Sequence, residues 1–249
     1  MHLDNVSAIV TGAASGLGNA TAAALAAGGA RVFGLDLDIA SAPQIDNVTY
    51  VKTDVTSEAE VRDAVARAAE QGPLRVAVNC AGIGPSARIL GKSGVHDVAL
   101  YAKVIQVNLV GTFTVLALAA EAIARTEPLE YGQRGVIINT ASVAAYEGQI
   151  GQAAYSSSKG GVVGLTLPAA RDLAQYGIRV NTIAPGIVET PMLATISEEF
   201  RTSLAAGVPF PRRLAQPEEY AQLAEFIVRH DYLNGETIRM DGALRMAPR

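Results

Sequence analysis

The amino-acid sequence predicts an α/β fold: one doubly wound parallel sheet of about seven strands with helices on both faces, in a single domain spanning 1–249. Three observations predict it. Short β-branched apolar runs alternate with alanine-rich segments along the chain. Nearly half of the residues are apolar and only 18% are charged, a balance that suits a sheet covered on two sides. No long linker, low-complexity block or internal repeat divides the 249 residues, which suffice for one large core.

Taken in order, Val6–Thr11 reads as the first strand, Gly16–Ala27 as a helix and Arg31–Asp36 as the second strand. The third strand is expected at Thr49–Lys52. Only Leu37 to Val48 precedes it, so the crossover there is expected to hold a helix of about one turn near Pro43. A helix follows behind Ser57 as its cap, with Glu58 and Glu60 where the helix dipole favours carboxylates. Arg75–Asn79 is the fourth strand, followed by a long helix from about Asp97 to Arg125 with an interruption near Gln106. Gly135–Ala141, Ile178–Ala184 and Glu236–Met240 complete the strands, separated by helices at Ala153–Gln175 and Glu218–Arg229. Pro168 is expected to kink the first of these, because an interior proline removes a backbone hydrogen bond. Such alternation gives a Rossmann-type sheet with right-handed crossovers. The Pro-bearing excursion from Gly186 to Pro217 is expected to form a substrate lid at about 187–216.

Composition narrows the function. A net charge of -4 lacks the basic footprint of a nucleic-acid binder. Cys80 is the only cysteine, so an internal disulfide is excluded, and His2, His96 and His230 are scattered, so no metal site is expected. The longest uncharged stretch, Val104–Ala120, is interrupted by Gln106, Asn108 and Gly111 and falls short of the roughly 20 apolar residues of a membrane span. No membrane partner is expected; that stretch reads as a helix buried in the core or packed on another subunit. With the first strand expected near Val6, no room is left for a targeting segment, and a cytoplasmic setting is expected.

The first strand runs into Thr11-Gly12-Ala13-Ala14-Ser15-Gly16-Leu17-Gly18 and then a helix. Glycines allow a tight turn and close backbone approach, and a helix N-terminus offers free N–H groups to phosphate, so Gly12, Ser15, Gly16, Leu17 and Gly18 read as a dinucleotide pyrophosphate site. The plainer alternative is a glycine turn that only packs on the sheet. Asp36 closes the second strand where a carboxylate grips the adenosine ribose hydroxyls and repels a 2′-phosphate, so NAD is expected over NADP. Asp54 and Val55 end the third strand near the expected adenine, although Asp54 serves equally as a helix cap; Asn79, Cys80, Ala81 and Gly82 end the fourth.

Tyr155 and Lys159 stand at i and i+4 on one helical face. An ammonium beside a phenol is expected to lower its pKa from about 10 toward neutrality, which suits a general acid/base. Ser142, at the end of the fifth strand, is placed to donate to a substrate oxygen, and Asn108 to anchor a water and a carbonyl behind the lysine. Tyr-x-x-x-Lys arises often by chance; its conjunction with the glycine turn, Asp36 and Ser142 carries the reading.

Together these residues resemble the short-chain dehydrogenase/reductase superfamily: Thr11-Gly12…Gly16-Leu17-Gly18, Asn79…Ala81-Gly82, Asn108, Ser142, Tyr155-x-x-x-Lys159 and Pro185-Gly186. Cys80 stands where the commoner pattern has a second asparagine. The resemblance implies Asn108, Ser142, Tyr155 and Lys159 as a catalytic tetrad, with Tyr155 and Lys159 also touching the cofactor. It further implies that Pro185, Gly186, Val188 and Thr190 border the nicotinamide, and that the chain forms a homotetramer through its long helices.

A closer likeness runs through Gly132–Ala145, Gly148-Gln149, Gly151–Tyr155, Val208-Pro209-Phe210-Pro211 and the C-terminal Leu233–Glu236 and Asp241–Ala243. These segments are similar to type II 3-hydroxyacyl-CoA dehydrogenases, a group that includes enzymes oxidising hydroxysteroids and 3-hydroxy-2-methylbutyryl-CoA. The likeness implies NAD-linked oxidation of a 3-hydroxyacyl-CoA to its 3-ketoacyl form, in fatty acid metabolism. Ser142, Gln149, Gln152 and Tyr155 are expected to border that substrate, and Arg212 and Arg213 read either as contacts for CoA phosphates or as a solvated basic pair. Two other functions compete: a hydroxysteroid or general secondary-alcohol dehydrogenase, and a non-catalytic dinucleotide-binding regulator or scaffold.

Overall fold

The computed structural model describes residues 1–92, 94–193 and 197–248. Its main sheet has seven strands: β1 (Ser7–Thr11), β2 (Arg31–Asp36), β3 (Val48–Lys52), β4 (Leu74–Asn79), β7 (Gly135–Thr140), β8 (Ile178–Pro185) and β9 (Thr237–Met240). Leu90–Gly91 (β5) and Gly94–Val95 (β6) form a separate antiparallel pair. The main sheet is parallel throughout, in the order β3-β2-β1-β4-β7-β8-β9. Chain direction across the sheet reverses between β1 and β4, so a crevice opens at the carboxyl ends of those two strands.

The helices are α1 (Gly16–Ala27), α2 (Glu58–Glu70), α3 (Val98–Ile105), α4 (Thr112–Ala124), α5 (Ala153–Ala174), α6 (Glu198–Ala206) and α7 (Pro217–Arg229). One face of the sheet buries Ile9, Leu35, Ile137 and Val180 beneath α2, α4 and α5, through side chains such as Val61, Val115 and Ala169. The opposite face buries Val10, Val78, Ile138 and Ile183 beneath α1 and α7, through Leu25, Tyr220 and Ile227. Two-sided burial explains why the strands read as continuous apolar runs. Each fully buried Ile or Leu contributes roughly 1.5–3 kcal/mol relative to exposure.

The long third helix is continuous from Val98 to Ala124, and its expected interruption is a π-helical segment at Gln106–Gly111. Such a widened turn shifts the helical register and is frequent at functional sites. The helix spans 27 residues, close to the length its sequence suggested, and with an 18-residue window of mean hydropathy 1.8 it is sufficient in length and composition to cross a membrane. Half of its apolar window is buried inside the protein, as in a core helix.

One expectation fails outright. The β2–β3 crossover holds no helix; turns at Ile39–Ala42 and Ile45–Val48 carry it, and Asp38 and Asp36 accept backbone N–H groups within it. Local Asx turns near Pro43 offer the backbone partners that a one-turn helix would otherwise supply. Pro168 lies inside α5, which continues on both sides of it.

Candidate active site

The glycine turn follows the carboxyl end of β1 and forms one wall of the crevice. Gly12 has φ +65°, the left-handed region that glycine occupies without a Cβ clash. At Gly18 a Cβ would lie 2.2 Å from the Gly12 carbonyl oxygen, so the first turn of α1 rests directly on the loop. Helix α2 is capped by Ser57 and carries Glu58 and Glu60 in its first turn, whereas Ser15 makes no side-chain cap on α1 and that first turn holds no acidic residue. The leading amides of α1 thus face the crevice with no side-chain anion in competition, which fits a pyrophosphate. Thr11 Oγ1 accepts from the backbone N–H groups of Cys80 and Ala81 at 3.0 Å each, joining the ends of β1 and β4 beneath the turn.

Asp36 ends β2 beside this turn, its Oδ2 accepting from Ala14 N at 3.0 Å. Asp54 Oδ1 accepts from both the N–H and the hydroxyl of Thr56, so it shapes the turn into α2, and Val55 is buried against Gly111 of the π segment. Asn79 donates to Asn139 at 3.0 Å across neighbouring strands. Pro185 ends β8, Val188 is buried and bridges Ala215, and Thr190 Cγ2 is the closest neighbour of a Cβ placed on Gly16, at 3.4 Å. The segment after β8 therefore folds back over the glycine turn.

At the middle of the crevice stand Ser142, Tyr155, Lys159 and Asn108. Ser142 follows β7, and its Oγ accepts from Ala144 N at 3.1 Å; the same hydroxyl stands beside the Tyr155 phenol. Lys159 is buried; its Nζ donates to the Thr140 carbonyl at 2.8 Å and lies 5.7 Å from the centre of the Tyr155 ring. Asn108 sits in the π segment, accepting from Ile83 N at 2.8 Å and donating to Ile83 O at 2.8 Å and Ser158 Oγ at 3.0 Å. The widened turn aims this amide at the backbone after Gly82 and at the helix carrying the tyrosine. Thr140, Ile83 and Ser158 complete the cluster, and nothing in their local sequence marks them.

The arrangement can hold a proton on a phenol beside a buried ammonium, at the mouth of a dinucleotide-shaped cradle. A sequence model for the short chain dehydrogenase family matches residues 6–201. The chain belongs to this family. It is accordingly an oxidoreductase acting on a CH–OH group, with a nicotinamide dinucleotide as cofactor, and the glycine turn, bare α1 terminus and Asp36 fit that group. The chain is 52% identical over 254 residues to 3-hydroxyacyl-CoA dehydrogenase type-2 of Bos taurus, covering 97% of this chain and 95% of that protein. It is 50% identical over 254 residues to the protein of that name from Drosophila melanogaster, covering 99% and 100%. The solved structure of 3-hydroxyacyl-CoA dehydrogenase type-2 from Mycobacterium avium superposes with a TM-score of 0.94 at 44% identity, over 98% of each chain.

Within this short chain dehydrogenase, one sequence-based expectation needs correction. Burial pushes the Tyr155 phenol up, and the neighbouring Ser142 hydroxyl only partly draws it back, so the anticipated lowering by Lys159 is not seen. Burial instead brings Lys159 down to about 8 from 10.5. Gln149 turns its amide away to donate to the Ala247 carbonyl at 3.0 Å, while Gln152 Oε1 accepts from Gln149 N at the start of α5, so both are engaged in holding the chain. Arg213 is taken up by Glu219 in a bidentate pair at 2.7 and 2.8 Å, which leaves neither fork for a phosphate. Cys80 is the single cysteine, and burial pushes its thiol up, the opposite of a nucleophile. The expected lid at 187–216 includes α6, while its residues 194–196 lie outside the described residues.

Proposed function

We propose that this short chain dehydrogenase is an NAD-linked enzyme that interconverts a 3-hydroxyacyl-CoA and its 3-ketoacyl-CoA, with Tyr155 as general acid/base. The observation that carries the chemistry is the convergence of Ser142, the Tyr155 phenol and the buried Lys159, 5.7 Å from the phenol ring centre, at the mouth of the glycine-turn crevice. The substrate class is supported by half identity, over nearly the whole chain, with proteins named for it. The bound nicotinamide supplies the hydride acceptor or donor at the substrate carbon.

In this reading Ser142 and Tyr155 flank the substrate oxygen: the ionised Tyr155 oxygen takes the proton as the alcohol is oxidised, and the Tyr155 hydroxyl gives it back, leaving a phenolate, as the ketone is reduced. Lys159 keeps a positive charge next to the forming phenolate and is within reach of the nicotinamide ribose. Asn108 fixes the backbone at Ile83 and the Tyr155 helix through Ser158. Gly12, Ser15, Gly16, Leu17 and Gly18 hold the pyrophosphate, and Pro185, Gly186, Val188 and Thr190 border the nicotinamide. Asp36 selects NAD by accepting from the ribose hydroxyls; Lys52, its register partner on β3, puts a cation nearby, so discrimination rests on the carboxylate itself.

A homotetramer belongs to the same reading, supported by the exposed apolar side chains Val110, Phe113 and Leu167 on the long helices. So does a cytoplasmic setting, supported by a lone, half-buried thiol that needs no oxidising compartment. The test is a panel of 3-hydroxyacyl-CoA thioesters, hydroxysteroids and free secondary alcohols, assayed with NAD and NADP in parallel. The expected result is the highest kcat/KM for a CoA thioester with NAD. A free alcohol or steroid that outperforms every thioester contradicts the assignment.

A further inference from the structure

A cluster of four charges lies outside the tetrad and between the two segments that flank it. Glu147 stands on the loop between Ser142 and α5, and accepts from both Arg239 amino groups, at 2.8 and 3.2 Å. Arg239 also donates through Nε to Asp241 at 2.7 Å, and Arg245 reaches both carboxylates, Asp241 at 3.1 Å and Glu147 at 3.4 Å. Isolated surface ion pairs contribute little, but bidentate geometry within a network is the exception. Here the side chains of Glu147, Arg239 and Asp241 are only 22%, 24% and 8% exposed. Arg239 draws the Glu147 carboxyl below its usual range by hydrogen bonding, as a committed carboxylate requires.

What this cluster joins gives it a role. Arg239 lies on β9 in register with Ala184, and the next residue, Met240, accepts from Gly186 N at 2.9 Å. Glu147 therefore ties the loop entering Tyr155 to the strand end that carries Pro185 and Gly186. Glu147 Oε2 also accepts from Met246 N at 3.0 Å, and the loop adds two bonds to the same C-terminal segment: Gln149 Nε2 to Ala247 O and Ile150 N to Pro248 O, at 3.0 Å each. On its other side the loop is held by Ala87 N, which donates to Gly151 O at 2.8 Å.

We infer that Glu147 is a positioning residue: its clamp on Arg239 and on the 244–248 segment sets the place of the loop before Tyr155 and walls the substrate end of the crevice. Loss of the clamp frees the loop and leaves the glycine-turn cradle intact, so substrate handling suffers and cofactor binding does not. The kinetic part of this inference rests on the proposed dehydrogenase activity.

The experiment uses the full chain with Glu147→Ala and Glu147→Gln. It reads KM and kcat on the best substrate of the panel, the NADH dissociation constant by fluorescence, and amide hydrogen exchange in peptides covering 146–152 and 244–248. Glu147→Ala is expected to raise KM about tenfold and lower kcat several-fold, with NADH affinity within about twofold of the parent. Exchange is expected to rise in both peptides together. Glu147→Gln, which keeps an acceptor oxygen, is expected to fall between the two. If Glu147→Ala does not fold, a chain ending at Met246 removes the Ala247 and Pro248 carbonyls and is read in the same way. A folded variant with unchanged KM and unchanged exchange overturns the inference, as does an equal loss of NADH affinity. If the parent oxidises no acyl-CoA, the proposed function fails, while the exchange measurement still decides the clamp.

Discussion

Lys159 donates its ammonium to the Thr140 carbonyl at 2.8 Å, although it shares a helical face with Tyr155 and lies 5.7 Å from the centre of that ring. The lysine is thus oriented by the strand end that precedes Ser142. Its charge is buried among protein atoms, which brings it down to about 8. Burial at this site stores an electrostatic cost in the protein alone.

That cost has a sign that can be measured. The folded-state pKa of Lys159 lies below its ordinary value of 10.5, so the unfolded chain binds the extra proton between about 8 and 10.5. The penalty is full below about 8 and fades as pH rises to 10.5. Lys159→Met removes it, so the stability of the variant relative to the parent is expected to fall by roughly 3 kcal/mol from pH 7 to pH 11. Cys80 is coupled to the Lys159 charge, so both proteins carry Cys80→Ala for this comparison. Urea unfolding of both at several pH values checks this; a difference that does not change with pH contradicts a buried ammonium.

Asp36→Ala removes the carboxylate proposed to grip the ribose and the acceptor for Ala14 N. The KM for NAD is expected to rise by roughly 10- to 100-fold, the equivalent of one or two charge-assisted hydrogen bonds. The KM for NADP is expected to change little or to fall. Parallel titrations with both cofactors decide; equal losses show that Asp36 serves the loop alone.

Gly18→Ala places a methyl group 2.2 Å from the Gly12 carbonyl oxygen, a backbone atom that cannot rotate away. Helix α1 must shift off the loop, at about 1–3 kcal/mol of stability. A lower Tm and a loss of NADH affinity of at least about tenfold are expected together. Thermal unfolding and fluorescence titration read both; normal NADH affinity in the variant argues against α1 as the pyrophosphate seat.

Much of this architecture was legible in the sequence because a sheet buried on both faces writes itself as β-branched runs. The ends of β2 and the whole of α1 fall where the pattern predicts, and the π segment begins at Gln106, the first polar residue of the uncharged run from Val104. Local turn chemistry was harder to read: the short crossover after Leu37 satisfies its backbone through Asp36 and Asp38 and needs no helix. Contacts between distant residues left no pattern at all. Glu147 and Arg239 are 92 residues apart, and nothing in either neighbourhood announces the other. For the same reason the bonds of Gln149 to Ala247 and of Arg213 to Glu219 could not be read from either neighbourhood. The i,i+4 spacing of Tyr155 and Lys159 placed them on one face, but the direction of the phenol shift follows from burial, which spacing does not report.

The central claim, that the Tyr155 phenol carries the proton during turnover, is tested most directly by kcat and NADH affinity in Tyr155→Phe. The variant keeps the ring and loses only the hydroxyl that stands beside Ser142. A fall in kcat on the order of a thousandfold with NADH binding unchanged is the predicted result. Retention of kcat within a few-fold of the parent contradicts it.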